Sequence, residues 1–168
     1  GQVTGTGVLT VSTTLTPETA GVGTLNTPGL TLQGTTTLDI NIGNGGAAPG
    51  TPDVINVTGA VNLGGATLNI VLNTSTDPVA TTTYDVILND LADAIVGAFA
   101  GSTVSAVNAG TSNVVSFSIS TTGNDGNDVR LTVASTMEAG GTVPPRELDV
   151  IFVNNNLRSY YAEGSKTL

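Results

Sequence analysis

The chain has 168 residues, enough for one domain that buries roughly 70% of its unfolded surface. Hydrophobic residues make up 39% of it, yet aromatics are 4% and charged residues 10%, and Thr, Ser, Asn and 22 glycines fill the gap. That balance excludes a helical bundle and indicates an all-β chain of short strands and tight turns. A net charge of −9 with only four basic residues argues against nucleic acid or an anionic membrane as partner. The absence of Cys and His removes disulfides, thiolate metal sites and the usual general base near neutral pH.

In chain order, Val3 to Ser12 alternates Val, Leu and Gly with Thr, and reads as one or two short strands. The start at Gly1 without a Met suggests a processed mature protein or an excised segment. Thr13 to Gly21, with Pro17, is a connection. From Val22 to Leu72 the sequence repeats itself at a spacing of 30 residues. Leu25 falls on Ile55, Asn26 on Asn56, Gly29 on Gly59, Gly34 on Gly64, Thr37 on Thr67, Leu38 on Leu68 and Ile40 on Ile70. Each copy is two short β-runs around a glycine turn, followed by a loop, and this period points to a solenoid. Leu38, Ile40, Leu68 and Ile70 are then expected to form adjacent rungs of one apolar stack.

Gly43 to Pro52 and Asn73 to Thr81 are loops by composition. The first is glycine-rich but has neither the Lys nor the following helix of a phosphate loop. Tyr84-Asp85-Val86-Ile87 echoes Pro52-Asp53-Val54-Ile55, so Asp53 and Asp85 are expected to begin equivalent strands and stack one coil apart. Asn89 to Ala100 holds Leu91, Ala92, Ile95 and Val96 at helical spacing behind Asp90, and is expected to form a single helical turn at most. Val104 to Val107, Val114 to Ser120 and Asp128 to Val133 are further strands. The domain organisation is a β-solenoid over 1–133, a linker over 134–146 marked by Pro144-Pro145, and a C-terminal strand or arm over 147–168. In that arm Leu148 to Val153 is apolar on both faces and is followed by Tyr160 and Tyr161.

The region from about Val22 to Val133 resembles the glycine- and threonine-rich β-strand repeat of autotransporter passenger domains and related bacterial surface proteins. The phrases that carry this are Pro28-Gly29-Leu30-Thr31-Leu32, Thr37-Leu38-Asp39-Ile40, Val57 to Leu68, and Gly123 to Leu131 with its Asn-Asp-Gly-Asn-Asp core. The resemblance implies a right-handed parallel β-helix, secreted and displayed on the cell surface, without catalytic residues. Past Val133 the sequence departs from that pattern.

The carboxylates Asp39, Asp53, Asp85 and Asp90 are the candidates for polysaccharide hydrolysis, a reaction that needs paired carboxylates beside a substrate platform. No basic partner, and only Tyr84 among aromatics, lies near them in sequence, so Asp53 and Asp85 read as turn-capping residues and Asp39 as pointing outward between Leu38 and Ile40. Gly123 to Leu131 half-matches the nonapeptide calcium repeat, with Asn124 in place of a glycine and Arg130 where an aliphatic residue should point inward. A single copy lacks the second turn that such a site requires. No cofactor and no dependence on divalent metal are therefore expected, with Asp125 and Asp128 as the Ca²⁺ candidates should one bind.

The expected fold is a short parallel β-helix with an extended C-terminal arm, and the alternative is an antiparallel β-sandwich. The expected function is non-enzymatic: a secreted structural subunit of an extracellular filament, sheath or surface layer. It would polymerise with itself head-to-tail, with Leu148, Val150, Phe152, Tyr160 and Tyr161 of the arm as anchors. Two other classes stand beside it, a carbohydrate- or host-binding surface adhesin, with surface polysaccharide as a partner, and a β-helical polysaccharide-degrading enzyme. No nucleic-acid binding or membrane insertion is expected.

Overall fold

The computed structural model describes residues 7–18, 21–43, 46–90 and 93–138, together with the backbone of 148–153 and 156–161. Every regular element among them is a strand: β1 (Leu9–Val11), β2 (Thr14–Leu15), β3 (Thr24–Thr27), β4 (Leu30–Leu32), β5 (Thr37–Ile42), β6 (Val54–Val57), β7 (Val61–Asn62) and β8 (Thr67–Leu72), then β9 (Thr83–Asn89), β10 (Thr103–Val107), β11 (Val114–Gly123), β12 (Asp128–Met137), β13 (Leu148–Val153) and β14 (Asn156–Tyr161). The chain divides into two units, Gly1–Met137 and Glu138–Leu168.

In the first unit the two repeats lie side by side, strand against equivalent strand, all parallel. β3 pairs with β6 through Leu25–Ile55 and Asn26–Asn56, and β6 with β9 through Ile55–Ile87. β1 pairs with β4 and β4 with β7, while β2 pairs with β5 and β5 with β8. Sequence-adjacent strands therefore belong to different sheets. That arrangement rules out the antiparallel sandwich for the repeats, whose strands would pair through hairpins.

The core follows from the two-residue period. Leu38, Ile40 and Ile42 of β5 are buried beside Leu68, Ile70 and Leu72 of β8, and the register pairs Leu38 with Leu68 and Ile40 with Ile70. The middle strands depart from the 30-residue spacing. Leu30 pairs with Val61 rather than Ala60, so Leu32 corresponds to Leu63, and all four of these side chains are sealed. A one-residue slip would turn every one of them to the other face. The Gly64-Gly65 turn takes up the extra residue before Thr67 pairs with Thr37. Gly64 has φ +53°, and a Cβ there would stand 2.0 Å from the Leu32 carbonyl oxygen, so the repeats approach too closely at this turn for any other residue.

The expected helical turn after β9 is not formed among the described residues. Instead Val96 N–H donates to Val61 O (2.8 Å), Leu63 N–H donates to Val96 O (2.9 Å), and Ala100 N–H donates to Ala66 O (2.9 Å). The reason is the exposed edge of β7, whose backbone groups need partners that a helix, bonded to itself, would not supply. Asp90 does not cap a helix either; its N–H donates to Val57 O (3.0 Å) and continues the β6–β9 ladder. Leu91 and Ala92 lie outside the described residues.

Beyond β9 the direction of the chain reverses. The largest sheet has the order β10-β11-β12-β9-β6-β3, with β12 antiparallel to both β9 and β11, and β10 antiparallel to β11. At its outer end the chain returns to the repeats through a bridge between Asn108 and Leu72. β12 also runs to Met137, past the domain end expected at Val133, because Ser135 and Met137 still pair with Ser116 and Val114. The first residues of the expected linker are therefore strand. One core cluster extends from Leu25 to Val133 and joins the parallel and antiparallel parts.

In the second unit β13 and β14 form a two-stranded antiparallel sheet, pairing Leu148 with Tyr161, Val150 with Ser159 and Phe152 with Leu157. The expected extended arm is thus a hairpin over these residues. Tyr160 and Tyr161 belong to its second strand rather than to a trailing end. An apolar run such as Leu148–Val153 gains main-chain partners soonest from the segment that follows it.

Candidate functional site

The carboxylates are the groups able to carry chemistry, and the fold uses them as acceptors. Asp53 is fully buried at the entry to β6. Its Oδ1 accepts from Gly23 N–H (2.6 Å), and its Oδ2 accepts from the backbone N–H and the Nδ2 of Asn41 (both 2.8 Å). Three donors from two neighbouring segments fix this carboxylate as a joint between repeats.

Asp85 does not share that environment. Opposite β12, Ile87 pairs with Val129 and Asp85 with Arg130, which leaves Val86 as an extra residue, a bulge in β9. Tyr84, Val86 and Ile87 are all buried, and the bulge turns Asp85 to the surface. There it accepts from Arg130 Nε (2.7 Å) and Nη2 (2.8 Å), a two-pronged ion pair. The hydrogen bonds to Asp85 raise the Arg130 guanidinium further above its already high value. The expected stacking of Asp53 on Asp85 is thus undone by one inserted residue.

Asp39 points outward between buried Leu38 and Ile40 and accepts from Asn69 Nδ2 (2.9 Å) in the next repeat. Asn56 Nδ2 donates to Asn26 Oδ1 (2.8 Å) in the same way. These two contacts are polar ladders between residues that the repeat makes equivalent, a role the letter-by-letter match could have signalled. Asp77 and Asn108 carried no such signal. Buried Asn108 accepts from Thr74 N–H (2.9 Å) and donates to Asp77 (2.8 Å), which also accepts from Thr111 Oγ1 (2.5 Å) and Asn113 Nδ2 (2.7 Å). Desolvation pushes the Asp77 carboxyl up, but the bonds from Thr111, Asn113 and Asn108 outweigh it and hold the group below its ordinary value. Together they tie the loop after β8 to the turn between β10 and β11.

At the turn between β11 and β12, Asn124 has φ +49° and Gly126 φ +115°, so this run works as a hairpin turn. Asp125 is exposed there. Asp128 is buried, its Oδ1 accepting from Asn89 N–H (2.8 Å) and its Oδ2 from Asn124 Nδ2 (2.8 Å). Arg130 lies between buried Val129 and Leu131 and is only part-buried itself. Tyr84 donates to Pro49 O and meets Phe117 edge-on, with ring centroids 6.2 Å apart. Burial pushes its phenol up to about 12.

Asp39, Asp53, Asp77, Asp85 and Asp128 are thus each engaged by structural donors. Among the described residues no three His, Cys, Asp or Glu side chains converge to hold a metal. The residues expected as assembly anchors occupy the hairpin: Leu148, Val150 and Phe152 at alternate positions of β13, and Tyr160 and Tyr161 at the end of β14. Compared with known proteins, the chain matches no family model, no curated protein and no solved structure.

Proposed function

We propose that the chain is a secreted structural subunit of an extracellular filament, sheath or surface layer. In this reading the parallel strands of the three sheets are the faces of a short right-handed β-helix, and the second unit joins one subunit to the next. The observation that carries it is the hairpin. Among the described residues β13 and β14 form a sheet of two strands, and a two-stranded sheet is marginal in water without a third strand or a surface to pack on. Its first strand is LDVIFV, apolar at five of six positions, which favours addition to an existing sheet edge. A second copy offers such an edge head-to-tail, and contacts of that kind propagate when the rotation does not close. The engagement of Asp39, Asp53, Asp77, Asp85 and Asp128 in structural bonds supports a scaffold over an enzyme.

Removal of residues 138–168 tests this reading. The full chain is expected to form fibres or ordered arrays by negative-stain microscopy, and the truncated chain to remain a folded monomer by sedimentation and circular dichroism. A full chain that stays monomeric at high concentration, or a truncated chain that still polymerises, overturns it.

A further inference from the structure

Among the described residues several large apolar side chains are exposed, and the strand register draws three of them into one row with a fourth. Val107 of β10 stands opposite Val114 of β11, and Val114 stands opposite Met137 of β12. Directly opposed residues put their side chains on the same face of a sheet. The parallel bridge between Leu72 and Asn108 brings β8 to the other side of β10, and one residue back along both strands Val71 falls beside Val107. Val107 and Met137 are each 61% exposed and Val71 is 46% exposed, with Val114 half-buried between Val107 and Met137. A single exposed valine is ordinary, but an apolar row that four strands assemble is the mark of a surface meant to be covered. The next row on the same face, Ser105, Ser116 and Ser135, is uncharged.

Taking the chain as the self-assembling subunit proposed above, we infer that this row is the surface on which the β13–β14 hairpin of a second copy docks. Three matches single out that occupant. The first is chemistry. The pairing of Leu148 with Tyr161, Val150 with Ser159 and Phe152 with Leu157 places these six positions on one face of the hairpin, five of them apolar or aromatic. Asp149 and Arg158 fall on the other face. The second match is length. Four neighbouring strands carry the row over roughly 14 Å, and the four residues of extended chain from Leu148 to Phe152 cover about the same. The strand therefore fits lying across the row, as in orthogonal sheet packing. The third match is charge. The first unit holds nine of the 13 acidic residues and one of the four basic ones, a net −8, so two first units repel each other across a shared face. The second unit holds the other four acidic and three basic residues, a net −1. Packing by the face leaves the main-chain edge of β13 free, which keeps it compatible with strand addition.

The chain has no Cys, so introduced cysteines report neighbours without background. Full-length Val107→Cys and full-length Phe152→Cys are mixed and treated with a short flexible bismaleimide, and the joined peptides are identified by mass spectrometry. A link between position 107 of one copy and position 152 of another is expected. The double variant Val107→Gln with Met137→Gln should raise the concentration needed for assembly about tenfold or more. Val8→Gln, 55% exposed beside β1, should leave that concentration unchanged. Links from 107 to 107 alone mean that the rows of two copies meet each other, and overturn the proposal. So does a chain carrying both cysteines that joins them within one molecule in preference to joining two, since the hairpin then covers its own first unit. Assembly that gives no 107–152 link and ignores the double variant overturns this surface and leaves the self-assembling subunit standing. A full chain that stays monomeric and gives no link between copies overturns both.

Discussion

The parallel repeats and the antiparallel end of the first unit solve the same problem differently. In the repeats, each strand finds its partner in the equivalent strand of the next copy, and like side chains meet: Leu38 with Leu68, Ile40 with Ile70, Asn26 with Asn56. Nothing in that pairing says where to stop. After β9 the partners are unlike, Arg130 opposite Asp85 and Leu131 opposite Tyr84, and the strand direction reverses. The comparison teaches that extension needs only a repeated pattern, whereas termination needs particular residues: a bulge at Val86, an ion pair and a turn rich in Asn and Asp. An open parallel edge left unterminated is a template for unwanted pairing.

Three perturbations sharpen this contrast. The largest effect is expected in the repeats, where Leu38 is fully buried against Leu68. Leu38→Ala should cost about 2–5 kcal/mol, the lost transfer free energy plus the cavity, read from urea unfolding. Because one apolar cluster spans both regions, the loss should appear as a shift of a single transition probed by both tyrosine fluorescence and far-UV circular dichroism. Two separate transitions would show that repeats and end fold independently.

A smaller effect is expected at the end. The Asp85–Arg130 pair has side chains 27% and 30% exposed, so solvent screens it. A double-mutant cycle with Asp85→Asn and Arg130→Gln should return a coupling of about 0.5–1 kcal/mol that shrinks in high salt. A coupling unaffected by salt would mean that the pair acts through packing.

The smallest effect concerns Asp77, which links the two regions. Its folded pKa lies below the ordinary 3.8, so the unfolded chain takes up the proton first as pH falls. Its contribution is therefore complete above the unfolded value and is lost as pH drops through the folded one. Asp77→Asn should slightly lower the neutral plateau and flatten the acid limb of the stability profile below about pH 4, where the two chains converge. An unaltered acid limb would show that Asp77 is as free in the folded chain as in the unfolded one.

By itself the sequence determined the all-β class, the strands of the repeats and which of their side chains face inward, because a two-residue period of Leu and Ile needs no long-range information to be read. It also marked the run Leu148–Val153 as a strand. Only the tertiary structure decided the register of β4 on β7, where an extra residue moves Leu30 from Ala60 to Val61 so that the apolar face stays buried. It alone made Val96 and Ala100, from a stretch with a short helical pattern, backbone partners for β7 and the turn after it, since the demand came from an edge created earlier in the chain. And it alone turned Asp85 away from Asp53 and drew Asn89 to Asn127, because a bulge and a reversal of chain direction are fixed by what lies on the neighbouring strand, which local spacing does not encode.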